Sequence, residues 1–505
     1  MSPLLLSLHP RTTLHDEQGL LTAHHRWGRT TLGPHTPPLA EALHALVAGP
    51  TAIHGMADRL RATARRAGLP PEPQLALLHG SLERLAHSVR RHATTGSRRL
   101  ATAEPLAPEA APRPGPAPAP DTPLTLDRAA HLRLVDDRLA LESPRSRFRL
   151  RLEDPRVATL LALLARPASR AELAGRCGDL TEDAVAAVLS LLYSTGFAHP
   201  ADDAGHDGTG HPAGHDGTGH PAGHDGTGHG DAGHGGAGLP PGWTFHELLA
   251  YDGSRAGPRD RPYGPVFPLR ATEPPAPPVA PPPDGRVIPL SRPDLDRLSR
   301  EDRPFTDVLE SRTSRRAYGE HPLTIEQLAE FLYRAARVRT LLGAHPEDDR
   351  PYAITSRPYP SAGSAYELEL YAAVHRCHGL ARGLYHYDPL GHTLTALPGG
   401  PEAVDRLLRE AAAATGGAPP PDVHLTLVSR VKRLSWKYAA HAYALTLKNT
   451  GVLLQTLCLV ATAMGLSGCP VGGGDSETPV RAFDLAPYTE IPVGAFLLGS
   501  APTPR

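Results

Sequence analysis

The sequence predicts an α+β protein in which a C-terminal domain with a mixed sheet follows two small winged-helix-like units. Three observations carry that expectation. Proline-, glycine- and histidine-rich stretches divide the 505 residues into blocks. The first two blocks share one strand-and-helix pattern. The last alternates apolar runs of helical and strand period.

The first block, 1–100, opens with strand-like alternation in RTTLGPH and continues into the helical run LHALVAGPT. Its Leu43, Leu46, Val47 and Pro50 recur at the same offsets as Leu160, Leu163, Leu164 and Pro167 in a second block, 124–200. There FRLRLED precedes LLALLARPA, and RAELAGRC stands where IHGMADRL stands in the first block. Strand, strand, helix, turn and helix at this size suggest a winged-helix-like unit, and the shared offsets suggest a duplication. These helices are mostly Ala and Leu with mixed charge, which suits packing or peptide binding better than a DNA groove. Residues 101–123 hold eight prolines and read as an extended linker. Within 201–240 lie three copies of a nine-residue unit of the type AGHDGTGHP, with seven histidines between His206 and His234. So little apolar surface cannot offset the entropy of ordering, so this linker is expected to be disordered. A lead-in and a third proline-rich linker, PPAPPVAPPP at 274–283, fill 241–300, and the C-terminal domain is expected over 301–505. In it, helices are predicted at Thr324–Arg337, Glu402–Ala413 and Tyr443–Met464, with Thr324 and Gln327 in capping-box positions. Strands are predicted at Leu368–Val374, Val423–Val428 and Val493–Leu498.

Composition narrows the function. The 52 basic and 53 acidic side chains leave a net charge of −1, which offers no field for a nucleic-acid backbone. Four cysteines without CxxC spacing argue against a zinc ribbon, an iron–sulfur cluster or a disulfide scaffold and suit a reducing cytoplasm. The N-terminus lacks the basic start of a signal peptide. The longest apolar stretch, Val452–Leu466, is interrupted by Gln455, Thr456 and Thr462 and is too short for a bilayer. A cytoplasmic protein without membrane, metal or nucleic-acid partners is expected. Only three of the basic residues are lysines: Lys432, Lys437 and Lys448. Arginine replaces lysine as a surface charge but not as an amine for proton chemistry, so each lysine is a candidate for a specific role.

Three segments of the C-terminal domain carry chemistry. SRTSRRAYGEHPLT, 311–324, gathers Arg312, Ser314, Arg315 and Arg316 before a helix, a set that can hold a phosphate and an electron-rich ring edge. YPSAGSAYELELY, 359–371, gives a turn of small residues where a flat ligand can approach the backbone. GLSGCPVGGGD, 465–475, is a second glycine-rich turn after a long apolar helix; it does not have the dinucleotide-binding GxGxxG form.

Taken in order, these segments resemble the nitroreductase-like flavoenzymes, and more closely the SagB-type peptide dehydrogenases that oxidise azoline rings. The resemblance runs from about Trp243 to Gly499 and includes the lead-in WTFHELLAYDGSRAG, GLYHYDP at 383–389, SWKY at 435–438 and CPVGG at 469–473. It implies a nitroreductase-like FMN domain and a homodimer with FMN at the subunit interface. By motif match, Arg312, Ser314 and Arg316 would hold the phosphate and pyrimidine edge. Pro360, Ser361, Ala362 and Gly363 would line the flavin, Gly472 and Gly473 would approach it through the backbone, and Gln455 would join from the long helix.

Lys437 and Tyr438 match the family's catalytic pair. Azoline oxidation removes a proton alpha to a carbonyl and imine, and passes hydride from the adjacent ring carbon to flavin. Neither a lysine nor a tyrosine is a good base at neutral pH without help from its surroundings. A lysine charge would favour the phenolate, with Tyr438 as base and Lys437 as tuner; the reverse assignment stays open. The implied substrate is a ribosomally made precursor peptide of a thiopeptide or linear azole pathway. Implied partners are a YcaO-type cyclodehydratase and a leader-binding protein, with oxygen re-oxidising the flavin. An NAD(P)H-dependent nitroreductase and a non-catalytic flavin-bearing scaffold are the alternatives. The chain departs from the family pattern at Thr313, Tyr318 and the AAHAYAL that follows SWKY, where His441 adds a titratable group. Cys469 is expected to pack within its glycine turn.

Overall fold

A computed structural model describes residues 4–113, 118–178, 180–201, 242–256, 261–345, 347 and 350–503. The histidine-rich repeats lie outside the described residues. The chain divides into Met1–Asp260 and Arg261–Arg505.

In the N-terminal unit both blocks contribute to one seven-stranded antiparallel sheet. Its order is Thr51–Ala52, Leu5–Leu8, Val89–Thr95, Arg98–Pro105, Phe148–Leu152, Arg138–Glu142 and His131–Val135. Each block packs three helices into its own core. In the first these are Pro37–Ala48, Ile53–Arg66 and Pro71–Arg84, burying Leu43, Leu46, Leu60 and Leu78. In the second, Pro155–Leu163, Arg170–Arg176 and Glu182–Ser194 bury Leu160, Leu164, Val188 and Leu191. The correspondence extends to one short pairing after each first helix: Ala52 with Leu5, and Ala168 with Leu124. The structure corrects the expected boundary at 101. Residues 98–105 form a strand, and Leu106, Ala107 and Ala110 are buried, so the proline-rich stretch begins inside the sheet. Alternating small apolar residues there pair with Phe148–Leu152 and join the blocks.

The C-terminal unit is built on a second seven-stranded sheet, ordered Val287–Pro289, Thr393–Leu397, Gly383–Asp388, Leu368–Val374, Val423–Arg430, Glu490–Gly499 and Ser467–Val471. Its helices include Ile325–Ala336, Pro401–Ala414 and Ala442–Ala463, so the α+β class holds. The sheet is not mixed as expected, because every adjacent pair is antiparallel. The reason lies in the connections. Direct connections without a crossover, at 375–382 and 389–392, make antiparallel neighbours from Leu368 to Leu397. The helical crossover from Val423–Arg430 leads to Ser467–Val471, a strand of the same direction, and the last strand of the chain inserts between the two. The helix Ala442–Ala463 is long and apolar enough to cross a membrane by length and composition alone. Here its Leu453, Leu457 and Ala461 are buried in the main core of this unit with Phe331 and Phe496. Thr324 caps Ile325–Ala336 in a full capping box with Gln327.

The segment carrying Arg312 to Gly319 is extended and has no regular pairing of its own. Two backbone bonds hold it beside the sheet: Arg315 N–H donates to Gly468 O at 3.0 Å and Gly319 N–H to Ser500 O at 2.9 Å. Asp422 secures its end. This buried carboxylate accepts from Leu323 N at 3.0 Å, Ser500 N at 2.9 Å and Arg376 Nε at 2.5 Å, while Arg376 also donates to Gly319 O and Glu320 O. Asp422→Ala leaves these donors unmet and should lower the stability of this unit by about 3 kcal/mol. Urea unfolding followed by the fluorescence of Trp436, the tryptophan of this unit, would measure the loss.

Candidate active site

The turn after Pro360 is shaped by one glycine. Gly363 stands at φ 56° and ψ 28°, a left-handed conformation that costs side-chain-bearing residues about 1 kcal/mol. A Cβ built there would lie 2.5 Å from Lys437 Nζ and 2.5 Å from the Tyr438 hydroxyl. The two groups therefore converge on one point above the Gly363 backbone, although they are adjacent in sequence. The short helix Val431–Ser435 allows this: it ends at Trp436, and Lys437 and Tyr438 lie in the turn that follows, both partly buried.

The turn is held from below by Asn449, which the long helix presents inward. Its Oδ1 accepts from Ala362 N at 3.1 Å, and its Nδ2 donates to Ser361 Oγ at 3.2 Å and Glu367 Oε1 at 2.9 Å. Ser361 Oγ in turn donates to Glu367 Oε2 and accepts from Tyr366 N. Sequence reasoning passed over Asn449 and Glu367. One signal was available, since Asn449 is the only asparagine in the chain.

The lead-in segment closes the other side. Phe267 N–H donates to Lys437 O at 3.0 Å, and the Phe267 ring packs on Tyr352 and Trp436. Beyond it, Arg430 donates to Pro277 O, Arg433 to Ala276 O and Trp436 Nε1 to Glu273 O. The stretch 274–283, expected to be a linker, is instead strapped at its start to the element that precedes Lys437. Proline removes donors but keeps carbonyls, and Arg and Trp supply donors only. Arg433 also donates to Ala365 O at 2.8 Å and Ala353 O at 2.6 Å, joining the strap to the Gly363 turn.

The other predicted residues form a second group. Gly472 and Gly473 follow Ser467–Val471, and a Cβ on Gly472, Gly473 or Gly474 would meet nothing within 4 Å. A cavity of about 460 Å³ opens beside this loop, with Arg316 and Cys469 in its wall. An adjoining one of about 210 Å³ is lined by His424, Thr426, Tyr443 and Gly494. Burial pushes His424 down to about 4, so this histidine is uncharged at neutral pH, and Glu410 and Asp475 also line the cavity. Arg312 and Ser314 are half-buried on the extended segment, and Arg312 acts electrostatically on Cys458 of the long helix. Gln455 points to the exposed side of that helix and lines neither cavity. His441 stacks on Tyr263 at 4.4 Å and meets the Tyr438 ring edge-on at 5.2 Å.

Burial raises the Glu367 carboxyl above the ordinary carboxylate range, and hydrogen bonds from Asn449 and Ser361 partly oppose the shift. A carboxyl raised on folding stabilises the fold at low pH, and that contribution is lost as pH rises through the raised value. Glu367→Gln keeps an acceptor for Asn449 and removes the charge. Relative to the variant, the wild-type urea midpoint should fall between the ordinary carboxylate pKa and the raised one; parallel profiles would contradict the assignment.

Comparison with known proteins gives two family matches. The model described as Nitroreductase family matches residues 309–500, and that described as Cyanobactin oxidase ThcOx matches residues 124–208. A Methanocaldococcus jannaschii protein named as a nitroreductase is 28% identical over 188 residues, covering 37% of this chain and 85% of its own length. Among solved structures, a Ralstonia eutropha JMP134 protein named as a nitroreductase is 22% identical with a TM-score of 0.35, over 48% of this chain and 100% of its own. A chain of the E. coli microcin synthetase McbBCD complex, solved with truncated pro-MccB17 bound, is 20% identical with a TM-score of 0.32. It covers 48% of this chain and 88% of its own. The two family matches support an oxidoreductase whose C-terminal domain has the nitroreductase-like α+β fold.

Proposed function

We propose that this chain is an FMN-dependent dehydrogenase that converts thiazoline or oxazoline rings of a ribosomally made precursor peptide into thiazoles or oxazoles, in thiopeptide or linear azole peptide biosynthesis. The observation that carries the reading is the convergence of Lys437 Nζ and the Tyr438 hydroxyl above Gly363. The resemblance of the surrounding motifs to azoline dehydrogenases and the cyanobactin-oxidase match at 124–208 support it.

The residues present fit a flavin. The 472–474 backbone faces open space beside Arg316, where a Cβ on any of the three glycines would meet nothing within 4 Å. Arg312, Ser314 and Arg316 would hold the phosphate and pyrimidine edge, with Pro360 to Gly363, Gly472 and Gly473 near the ring. When bound, FMN supplies the two-electron acceptor for the hydrogen that leaves the azoline.

The chain's own part is the proton. The Tyr438 oxygen, which meets the Lys437 amine above Gly363, would take the proton alpha to the ring imine. Phe267 and Trp436 pack on each other beside this corner. The protein acts in the cytoplasm as a homodimer; Tyr443 and Leu447, 58% and 47% exposed, form part of the long helix's outer face. Its partners are the precursor peptide, a YcaO-type cyclodehydratase and a leader-binding protein, and the N-terminal unit docks that assembly.

Purified protein should show oxidised-flavin absorbance and remove the mass of two hydrogen atoms per ring from a thiazoline peptide. Lys437→Ala and Tyr438→Phe should keep the flavin and slow ring oxidation roughly a hundred- to ten-thousandfold. A yellow protein that leaves the peptide intact but oxidises NAD(P)H would instead be a nitroreductase. A variant that binds all partners and turns over normally without Lys437 and Tyr438 would be a scaffold. A chain lacking residues 1–260 should still oxidise a short leaderless azoline peptide while losing preference for a leader-bearing one, as measured by kcat/KM on the two substrates.

A further inference from the structure

We propose that Tyr352 is a positioning residue of this site: its hydroxyl holds the Lys437 amine above Gly363, where the amine can act on Tyr438. The inference deepens the dehydrogenase reading and rests on it for the catalytic part.

Tyr352 lies outside every motif, and only 6% of it is exposed. Its hydroxyl donates to Gly363 O at 3.4 Å and accepts from Lys437 Nζ. A phenol has one proton and two lone pairs, so a proton directed to a carbonyl leaves the oxygen as an acceptor for an ammonium. That bond uses one of the three N–H groups of Lys437 and fixes the direction of the others. Nζ sits 4.8 Å from the Tyr352 ring centre, off its hydroxyl edge, and 5.2 Å from the ring centre of Tyr438. Both Nζ and the Tyr438 oxygen lie at the same short distance from the Cβ position above Gly363. Tyr352 thus sets where the Lys437 amine stands relative to the Tyr438 oxygen above Gly363.

The ring of Tyr352 is itself fixed. Phe267 packs on it at 6.1 Å and Trp436 at 6.0 Å, with the Arg433 guanidinium 5.8 Å from its centre. Arg433 also holds the neighbouring carbonyl of Ala353, so ring and backbone are immobilised together. A lysine has four rotatable bonds and would otherwise sample many positions. Tyr352 thus belongs to the site through Lys437.

The test separates the hydroxyl from the ring. Tyr352→Phe keeps the packing and removes the hydrogen bonds, and urea unfolding checks that the domain remains folded. With three lysines in the chain, carbon-13 labelling of lysine Cε in the full protein gives three resonances, and Lys437→Arg identifies one of them. In Tyr352→Phe that resonance should shift and titrate at a different pH, while those of Lys432 and Lys448 stay in place. Ring oxidation should fall roughly tenfold to a hundredfold in kcat with an altered pH profile and unchanged KM. An unmoved Lys437 resonance, or an unchanged kcat and pH profile, would overturn the proposal. Should Phe unfold the domain, a Tyr352→His variant, which restores a ring acceptor, must recover both the resonance and the rate. If the wild type itself leaves azolines intact, the functional reading fails, and the resonance still decides whether Tyr352 holds Lys437.

Discussion

The site depends on one residue having no side chain. Gly363 sits in the left-handed region with the amine of Lys437 and the hydroxyl of Tyr438 where its Cβ would be. A turn in that conformation does not hold itself, because the strain must be offset by its surroundings. Asn449 does this through the Ala362 amide and Glu367, and Asn449 is placed by the long helix, whose same face carries Leu453 and Leu457 into the core. Packing of that helix therefore decides where two polar groups meet more than a turn of helix away. The chain of dependence runs from apolar burial, through one carboxamide, to the reacting corner.

The strap shows a second way of ordering a polar region. Prolines at 274, 275, 277 and 278 present carbonyls with no competing amide of their own, and Arg430, Arg433 and Trp436 have only donors to offer. Arg433 is buried and serves three separate segments through carbonyls. Its charge is held down by desolvation to about 10, still protonated at neutral pH. A cation kept in place by backbone dipoles leaves its field free to act on the tyrosine ring beside it.

Much of the C-terminal domain was legible because local signals agreed. The Thr324 and Gln327 capping box marks a helix start, and the run Leu368–Val374 forms a strand with those bounds. The turn glycines and the lysine scarcity pointed to the groups that converge. What escaped were relations between distant residues. The antiparallel order of the sheet depends on where the final strand inserts, which no local pattern encodes. Proline content suggested free linkers at 101–123 and 274–283, yet in both places pairing partners far along the chain ordered part of the segment. Tyr352 carried no motif, and Asn449 was marked only by its rarity. Gln455 matches a family position, and its exposed placement follows from the helix phase that turns Asn449 inward.

The strap also has a consequence for how the protein is made. Glu273, Ala276 and Pro277 precede their anchors by 163, 157 and 153 residues. On the ribosome, the strap emerges long before the arginines that fasten it, and the intervening sheet must form first. The reacting corner is thus closed late in synthesis, and the nascent domain passes through a stage in which its Lys437 pocket has not yet been built.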